Sequence, residues 1–161
     1  MTSDAVAATA GVGKPAIYRR FPDKASLVAA VIGRQLQQLE VPDLGDARAE
    51  LWLAVERGFP QDGPSYVRLI GGLIAEEERH PELIAAFRER ILLPRRAIVK
   101  GLIEGGQRRG EIRPELDPEA AVDSLAGPLL ARVFAGVDTG PEWRERAFEI
   151  WWQSVEERKQ R

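Results

Sequence analysis

The sequence of 161 residues contains no cysteine and a single histidine, His80. Without cysteine the chain can form neither disulfides nor thiolate zinc sites, and it lacks a thiolate nucleophile. One histidine leaves little room for a metal centre or a Ser–His–Asp triad. We therefore predict a protein that is not an enzyme and that holds neither a metal ion nor a cofactor.

Long hydrophobic runs are also missing. No segment approaches the roughly 18 apolar residues of a membrane-spanning helix. The chain also does not begin with a basic segment followed by an apolar one, the pattern of a secretory signal peptide. Hydrophobic residues nevertheless make up 44% of the sequence and charged residues 30%, which is typical of a globular chain and not of a disordered one. These features predict a cytoplasmic protein with no membrane partner.

The net charge of −2 is unevenly distributed along the chain. Residues 1–34 have a net charge of +3, whereas the remaining residues carry −5. A basic head on an acidic body indicates that only the head contacts a polyanion. The five basic side chains of the head are Lys14, Arg19, Arg20, Lys24 and Arg34.

Apolar residues recur with the helical period of 3.6 almost throughout, which predicts an all-α fold. Asp117-Pro118-Glu119 and Gly140-Pro141-Glu142 are typical helix starts, with a cap followed by proline. Pro94 is expected to interrupt a long helix, and Gly105, Gly106 and Gly110 to mark its fraying end. From residue 24 onward, the predicted helices cover residues 24–39, 46–59, 65–79 and 82–109, followed by one from 117 and one from 140.

Gly71 and Gly72 lie inside the predicted helix 65–79, where each costs roughly 1 kcal/mol relative to alanine. Their presence predicts a close approach to this helix. The approaching group is either another helix or a ligand, and the sequence leaves both open.

A helix–turn–helix pattern occupies residues 4–27. Ala7 and Ala10 are small enough for two short helices to cross closely, and Gly11 supplies the sharp turn between them. The basic face of the second helix can enter the major groove of DNA. The pattern consists of Val6-Ala7, Ala10-Gly11-Val12, Ile17-Tyr18, Phe21, Lys24 and Leu27.

This pattern closely resembles the DNA-binding domain of the TetR-type transcriptional regulators. The resemblance implies a helix–turn–helix head at residues 1–34 and a helical regulatory and dimerisation domain at residues 35–161. It also implies double-stranded operator DNA as a partner. The residues expected to contact DNA are Thr2, Lys14, Pro15, Ala16, Tyr18, Arg19, Arg20 and Lys24.

The same resemblance implies a small effector inside the regulatory half and a homodimer formed by the last two helices. An apolar or aromatic effector is expected, although the spacing of each candidate residue favours a place in a plain hydrophobic core over a place in the pocket. The candidate effector residues are Trp52, Phe59, Tyr66, Ile70, Leu73, Phe87 and Phe134. Phe148 and Trp152 widen the apolar face of the last helix, which favours self-association. The candidate dimer residues are Val122, Leu125, Leu129, Val133, Trp143, Ala147, Ile150 and Trp151.

Two departures from the family pattern bear on function. Gly13 replaces the usual serine of the turn, and only Met1-Thr2-Ser3 precede the motif where the family has a further helix. We therefore expect weak DNA binding by this chain. The predicted function is a ligand-responsive regulator, a repressor that binds a pseudo-palindromic operator as a homodimer. The alternative is a helical dimeric module that binds a ligand or a protein and has lost DNA binding.

Overall fold

The computed structural model describes residues 39–58 and 63–157, with the backbone alone for residues 63–66, 68 and 69. Within these ranges the regular structure is helical apart from one isolated bridge, so the all-α prediction is confirmed. None of the described helices is long and apolar enough to cross a membrane. The helices are α1 (Ala47–Gly58), α2 (Gly63–Ala75), α3 (Pro81–Phe87), α4 (Leu93–Arg109), α5 (Pro118–Phe134) and α6 (Pro141–Val155).

The helices begin where the sequence places caps. The Asp46 carboxylate accepts the Ala49 N–H at 3.0 Å at the start of α1, and Asp117 accepts the Glu119 N–H at 2.9 Å at the start of α5. Helix α6 begins after Gly140, with Pro141 in its first turn. The predicted starts of α5 and α6 are confirmed.

Helix α2 ends at Ala75, four residues before the predicted end at Arg79. Three consecutive glutamates, residues 76–78, follow it, and their charges oppose the negative end of the helix dipole. Gly71 and Gly72 are exposed, and no described atom lies within 4 Å of a Cβ built at either position. Among the described residues, therefore, no helix approaches these glycines closely, and the alternative of a ligand stays a prediction.

The predicted interruption near Pro94 takes the form of a π-helical turn, Arg88–Leu92, between α3 and α4. The Leu93 N–H donates to the Arg88 carbonyl, five residues back. Pro94 has no N–H to donate, and its ring excludes the carbonyl of an ordinary α-helical turn. The turn therefore allows the chain to pass from α3 into α4 without a loop.

Helices α1, α4, α5 and α6 enclose the main hydrophobic core. Leu51, Ile103 and Ile112 are completely buried there. An aromatic cluster lies beside them: the ring of Phe148 is 5.2 Å from that of Trp52 and 5.9 Å from that of Trp151. A smaller core joins α2, α3 and the π turn through Leu73, Leu83, Ile84, Phe87 and Ile91.

Most of the apolar face of α6 is buried in the main core. Phe148 and Trp152 are buried within the single chain, so they do not widen an exposed face as expected. Three predicted dimer residues, Val122, Leu129 and Trp151, are buried within the single chain as well. The packing of α5 and α6 against α1 and α4 covers these five residues, and the dimer contacts stay a prediction.

Glycines 105 and 106 are buried inside α4 and do not mark a frayed end. A Cβ at Gly106 would lie 2.7 Å from the Ala47 Cβ and 2.8 Å from the Ile112 Cδ1. Helix α4 ends at Gly110, whose φ of 71° is the left-handed conformation that glycine adopts without strain. Gly106 is thus the point where α1 and the turn after α4 pack directly on the α4 backbone.

Replacing Gly106 with alanine is expected to lower the free energy of unfolding by about 1–3 kcal/mol, because overpacking outweighs the better helix propensity of alanine. The matched control is Gly101→Ala in the same helix, where no described atom lies within 4 Å of the new Cβ. This control is expected to be neutral or stabilising by up to about 1 kcal/mol. Urea denaturation measures both variants, and equal stabilisation by the two would refute the close packing.

Candidate effector cavity

A cavity of about 120 Å³ lies between α1, α4 and α5. A cavity of about 150 Å³ with an apolar lining can hold a benzene molecule, so this slightly smaller one suits a ligand of about one ring. Among the described residues, the wall is apolar except for two arginines. The described wall residues are Leu39, Ala54, Val55, Gly58, Leu92, Arg95, Arg96, Val99, Val122, Leu125 and Ala126.

Small side chains at the crossing of three helices create the space. Ala54 and Gly58 are one helical turn apart on α1, and Ala126 faces the cavity from α5. Larger residues at these positions would fill the gap between the helices. Leu39, which is 7% exposed, closes the wall beside the loop that leads into α1.

The two arginines of the wall are both held by the protein. The Arg95 Nη1 donates to the Gly58 carbonyl at 2.7 Å, at the end of α1. Arg96 pairs with Asp123 and, at 3.0 Å, with Glu119, both on α5. The hydrogen bond with Asp123 is the main reason that the pKa of Arg96 lies above its ordinary value. These interactions connect the arginine side of the cavity to α1 and α5.

Glu119 lies at the centre of the ion pairs between α4 and α5. Lys100 donates to it at 2.9 Å, and this bond, followed by that from Arg96, lowers the pKa of the Glu119 carboxyl. The pKa of Glu119 is therefore lower in the folded protein than in the unfolded chain. The stabilisation by its ion pairs is fully present when the pH is above the pKa of the unfolded chain, and it is lost as the pH falls through the pKa of the folded protein. The pairs are solvent-exposed, so they orient Arg96 more than they stabilise the fold.

Two smaller cavities adjoin the first one. One, of about 90 Å³, is lined by Trp52, Val55, Glu56, Pro141 and Arg144. The other, of about 30 Å³, lies between α1, α5 and α6. Val55 lines all three cavities, so its side chain forms part of the wall that separates them.

The predicted effector residues do not assemble around one space. Trp52 lines the 90 Å³ cavity, Ile70, Leu73 and Phe87 pack in the smaller core, and Phe134 is 81% exposed. Helical spacing thus distributes these five residues over a cavity, a core and the surface, and their contact with an effector stays a prediction. Phe59 and the side chain of Tyr66 lie outside the described residues.

The loop between Leu39 and α1 is fixed by a buried carboxylate. The Glu50 side chain is 2% exposed, and its Oε1 accepts the N–H groups of Leu44 at 2.8 Å and Gly45 at 3.0 Å. Its Oε2 pairs with Arg109 at 2.9 Å. Glu111, which also pairs with Arg109, accepts the Ala47 N–H at 2.6 Å. This cluster, called here the Glu50 clasp, joins the loop to the end of α4.

The other predicted residues fall into two groups. All eight predicted DNA contacts, from Thr2 to Lys24, lie outside the described residues. Of the remaining predicted dimer residues, Leu125, Val133, Trp143 and Ala147 are half-buried and Ile150 is 70% exposed. The exposed large apolar side chains near the end of α5 and on α6 are Leu130, Phe134, Val137 and Ile150.

Sequence reasoning missed Glu50, Arg95 and the small residues of the cavity wall. Glu50 lies in the first turn of α1, after the cap Asp46, where acidic residues are common on exposed helices. The sequence therefore does not indicate that Glu50 is buried. The double arginine after Pro94 is plain in the sequence, but nothing there indicates that it faces a cavity. In residues 39–58 and 63–157, no group of three or more potential metal ligands is found.

Two family models match the chain. Residues 41–150 match the tetracyclin repressor-like C-terminal domain, and residues 1–31 match the bacterial regulatory proteins of the tetR family. An HTH-type transcriptional regulator of Bacillus subtilis (strain 168), YdeS, is 30% identical over 138 residues, which is 83% of this chain and 68% of the relative. One of Mycobacterium tuberculosis (strain H37Rv) is 30% identical over 82% of this chain and 65% of the relative.

Solved structures show the same fold. The TetR family regulator SCO0332 has a TM-score of 0.70 and 24% identity, covering 96% of this chain and 86% of that one. The flavonoid-responsive regulator FrrA has a TM-score of 0.58 and 25% identity, covering 99% and 88% of the two chains. All of these similar proteins are regulators by name.

Proposed function

The chain belongs to the TetR family of HTH-type transcriptional regulators, and from this premise we propose that it is a repressor controlled by a small ligand. It would bind a pseudo-palindromic operator as a homodimer. Members of this family are regulators and not enzymes, in agreement with the sequence prediction. The cavity between α1, α4 and α5 is the observation that carries the ligand response.

The DNA-binding role is assigned to residues 1–34. The match of residues 1–31 to the regulatory-protein model supports it, as does the basic charge of this segment. Lys14, Pro15 and Ala16 would face bases, whereas Tyr18, Arg20 and Lys24 would contact phosphates and Thr2 the DNA backbone. Arg19 suits either role. In a dimer the two recognition helices would lie about 34 Å apart, one turn of DNA.

Dimerisation is assigned to α5 and α6. Leu130 and Phe134 are four residues apart, which places them on one side of the end of α5, and Val137 is exposed just after the helix. Ile150 adds a fourth exposed apolar side chain on α6. Exposed apolar side chains of this size are typical of subunit interfaces. Phe134, a predicted effector residue, fits this surface better.

The ligand response is assigned to the 120 Å³ cavity. Leu39 belongs to its wall and immediately follows the segment that leads back to the DNA-binding region. FrrA, a similar protein, is by its name responsive to a flavonoid. A ligand that prefers the arrangement incompatible with DNA would shift the population away from the operator. A ligand with equal affinity for both arrangements would have no effect.

Lys14→Ala and Arg20→Ala test the DNA-binding assignment. Each variant is expected to weaken binding to an operator selected from random DNA and to flatten its salt dependence. The slope of log K against log[salt] is expected to fall in magnitude by about 0.9 for each phosphate that the variant no longer neutralises. Fluorescence anisotropy between low and moderate salt measures the slope.

The control for these variants is Arg90→Ala, which removes an exposed charge from the π turn of the regulatory half. It is expected to leave both affinity and slope unchanged. An unchanged slope in both head variants would contradict the assigned roles of Lys14 and Arg20.

A further inference from the structure

We propose that Glu50 and Arg57 are positioning residues for the ligand response, because they hold the segment that connects the cavity wall to the DNA-binding region. This connecting segment consists of residues 39–45, which precede α1. The proposal rests on the proposed function, since it names the residues through which that cavity would act on the DNA-binding region. It follows from the contacts between the segment and α1 and from the place of Leu39 in the cavity wall.

The connecting segment lies along α1 and runs in the opposite direction to the helix. Its first residue, Leu39, is beside the last residue of α1, since a Cβ built at Gly58 would lie 4.0 Å from the Leu39 Cδ1. The Glu40 carbonyl then accepts a hydrogen bond from the Arg57 Nη1 at 2.6 Å. At the first turn of α1, the Glu50 carboxylate accepts two N–H groups of the segment. The segment is thus held at both ends of the same helix.

The two side chains that hold the segment come from one side of α1. Glu50 and Arg57 are seven residues apart, about two helical turns, so both lie on the same side of the helix. Ala54 lies between them on this side and lines the cavity together with Gly58. Among residues 39–45, Leu39 alone is part of the cavity wall. The side of α1 that holds the connecting segment is therefore also the side that faces the ligand.

The far end of the segment is anchored on two helices. The Oε2 of Glu50, which is 2% exposed, pairs with Arg109 of α4 at 2.9 Å. Arg109 in turn pairs with Glu111, whose carboxylate accepts the Ala47 N–H at 2.6 Å. This end of the segment therefore has a fixed position relative to both α1 and α4.

A segment with a fixed end passes on a displacement that a loose segment would absorb. A ligand in the cavity contacts Leu39 and would shift it relative to α1. Because Glu50 holds the N–H groups of Leu44 and Gly45, the far end cannot follow, and the shift passes to the residues before Leu39. Without this anchor the segment relaxes, and the coupling between the cavity and the DNA-binding region falls.

Glu50→Ala and Arg57→Met test the two residues. The readout is the ratio of the affinities of the full chain for a selected operator without and with benzene, measured by fluorescence anisotropy. A ratio of at least about fivefold in the original chain is expected to fall below about twofold in each variant. The affinity for benzene, measured by calorimetry, is expected to stay within about twofold, because neither side chain is part of the described cavity wall. An unchanged ratio in either variant would overturn the positioning role of that residue.

Three controls separate positioning from stability and charge. Arg90→Met removes an exposed guanidinium from the π turn, and Ile103→Val lowers stability by removing a methylene group from the main core. Both are expected to keep the full ratio. Glu50→Gln keeps an oxygen for the two N–H groups, so its ratio should lie between those of the original chain and Glu50→Ala. Equal reduction of the ratio in Ile103→Val and Glu50→Ala would overturn the proposal, because lost stability would then be the cause.

Hydrogen exchange without a ligand tests the attachment independently of the ligand response. The amides of Leu44 and Gly45 are expected to exchange at least about tenfold faster in Glu50→Ala than in the original chain, and unchanged exchange would overturn the clasp as an anchor. The operator ratios separate this proposal from the proposed function. A benzene effect that persists in both Glu50→Ala and Arg57→Met would overturn this proposal alone. Absence of the effect in the original chain would contradict the ligand response itself, and this proposal with it.

Discussion

Replacing Glu50 with alanine is expected to lower the free energy of unfolding by about 2–4 kcal/mol. The carboxylate accepts two backbone N–H groups of the loop and pairs with Arg109, and it is 2% exposed. Removal leaves the Leu44 and Gly45 N–H groups without this acceptor and the arginine without this partner. Because Arg109 is one-third exposed, water solvates it and keeps the loss below that of a fully buried pair.

Two further substitutions make the Glu50 result specific. Glu56→Ala removes an exposed acid from the same helix and is expected to change stability by less than about 0.5 kcal/mol. Glu50→Gln keeps an oxygen for the loop but loses the charge that Arg109 requires, so its stability should lie between those of the original chain and the alanine variant. Urea denaturation measures all three. Equal stability of the Glu50→Ala and Glu56→Ala variants would show that the clasp contributes nothing.

Filling the cavity should abolish most ligand binding. Ala126 lines the cavity from α5, and phenylalanine at this position would place a ring in the space that the ligand needs. The expected loss of affinity for benzene, a probe of a single aromatic ring, is about 10- to 100-fold, the equivalent of the apolar burial that the ring gains in the site. Calorimetry measures the loss directly.

The control for cavity filling is Ala120→Phe on the same helix. Ala120 is exposed and is not part of the wall, so the added ring should leave affinity unchanged. Thermal melting of both variants verifies that they are folded. Full affinity in a folded Ala126→Phe variant would place the ligand elsewhere.

Local signals in the sequence were sufficient for the helical architecture. Caps such as Asp117 and prolines such as Pro141 mark helix starts because they satisfy or lack backbone donors at the first turn. Features that depend on distant contacts could not be predicted in this way. The burial of Glu50 depends on Arg109, 59 residues away, and the need for glycine at position 106 depends on Ala47 and on the turn after α4.

The apolar pattern identified residues that face inward but not what they face. Phe148 and Trp152 were expected to extend a subunit interface, yet they lie in the core of one chain. Phe134 shares the same helical periodicity and is exposed. A cavity is harder still to predict, since it arises where small residues of different helices meet, as Ala54 of α1 and Ala126 of α5 do here.

Operator binding with and without a small apolar probe tests most directly whether the cavity controls the DNA-binding region. Anisotropy of a labelled, selected operator would be measured with the original chain and with Ala126→Phe, using the ratio of affinities with and without benzene. The probe is expected to weaken operator binding of the original chain by at least about fivefold and to leave the filled variant unchanged. An equal effect on both proteins, or no effect on the original chain, would contradict control through this cavity.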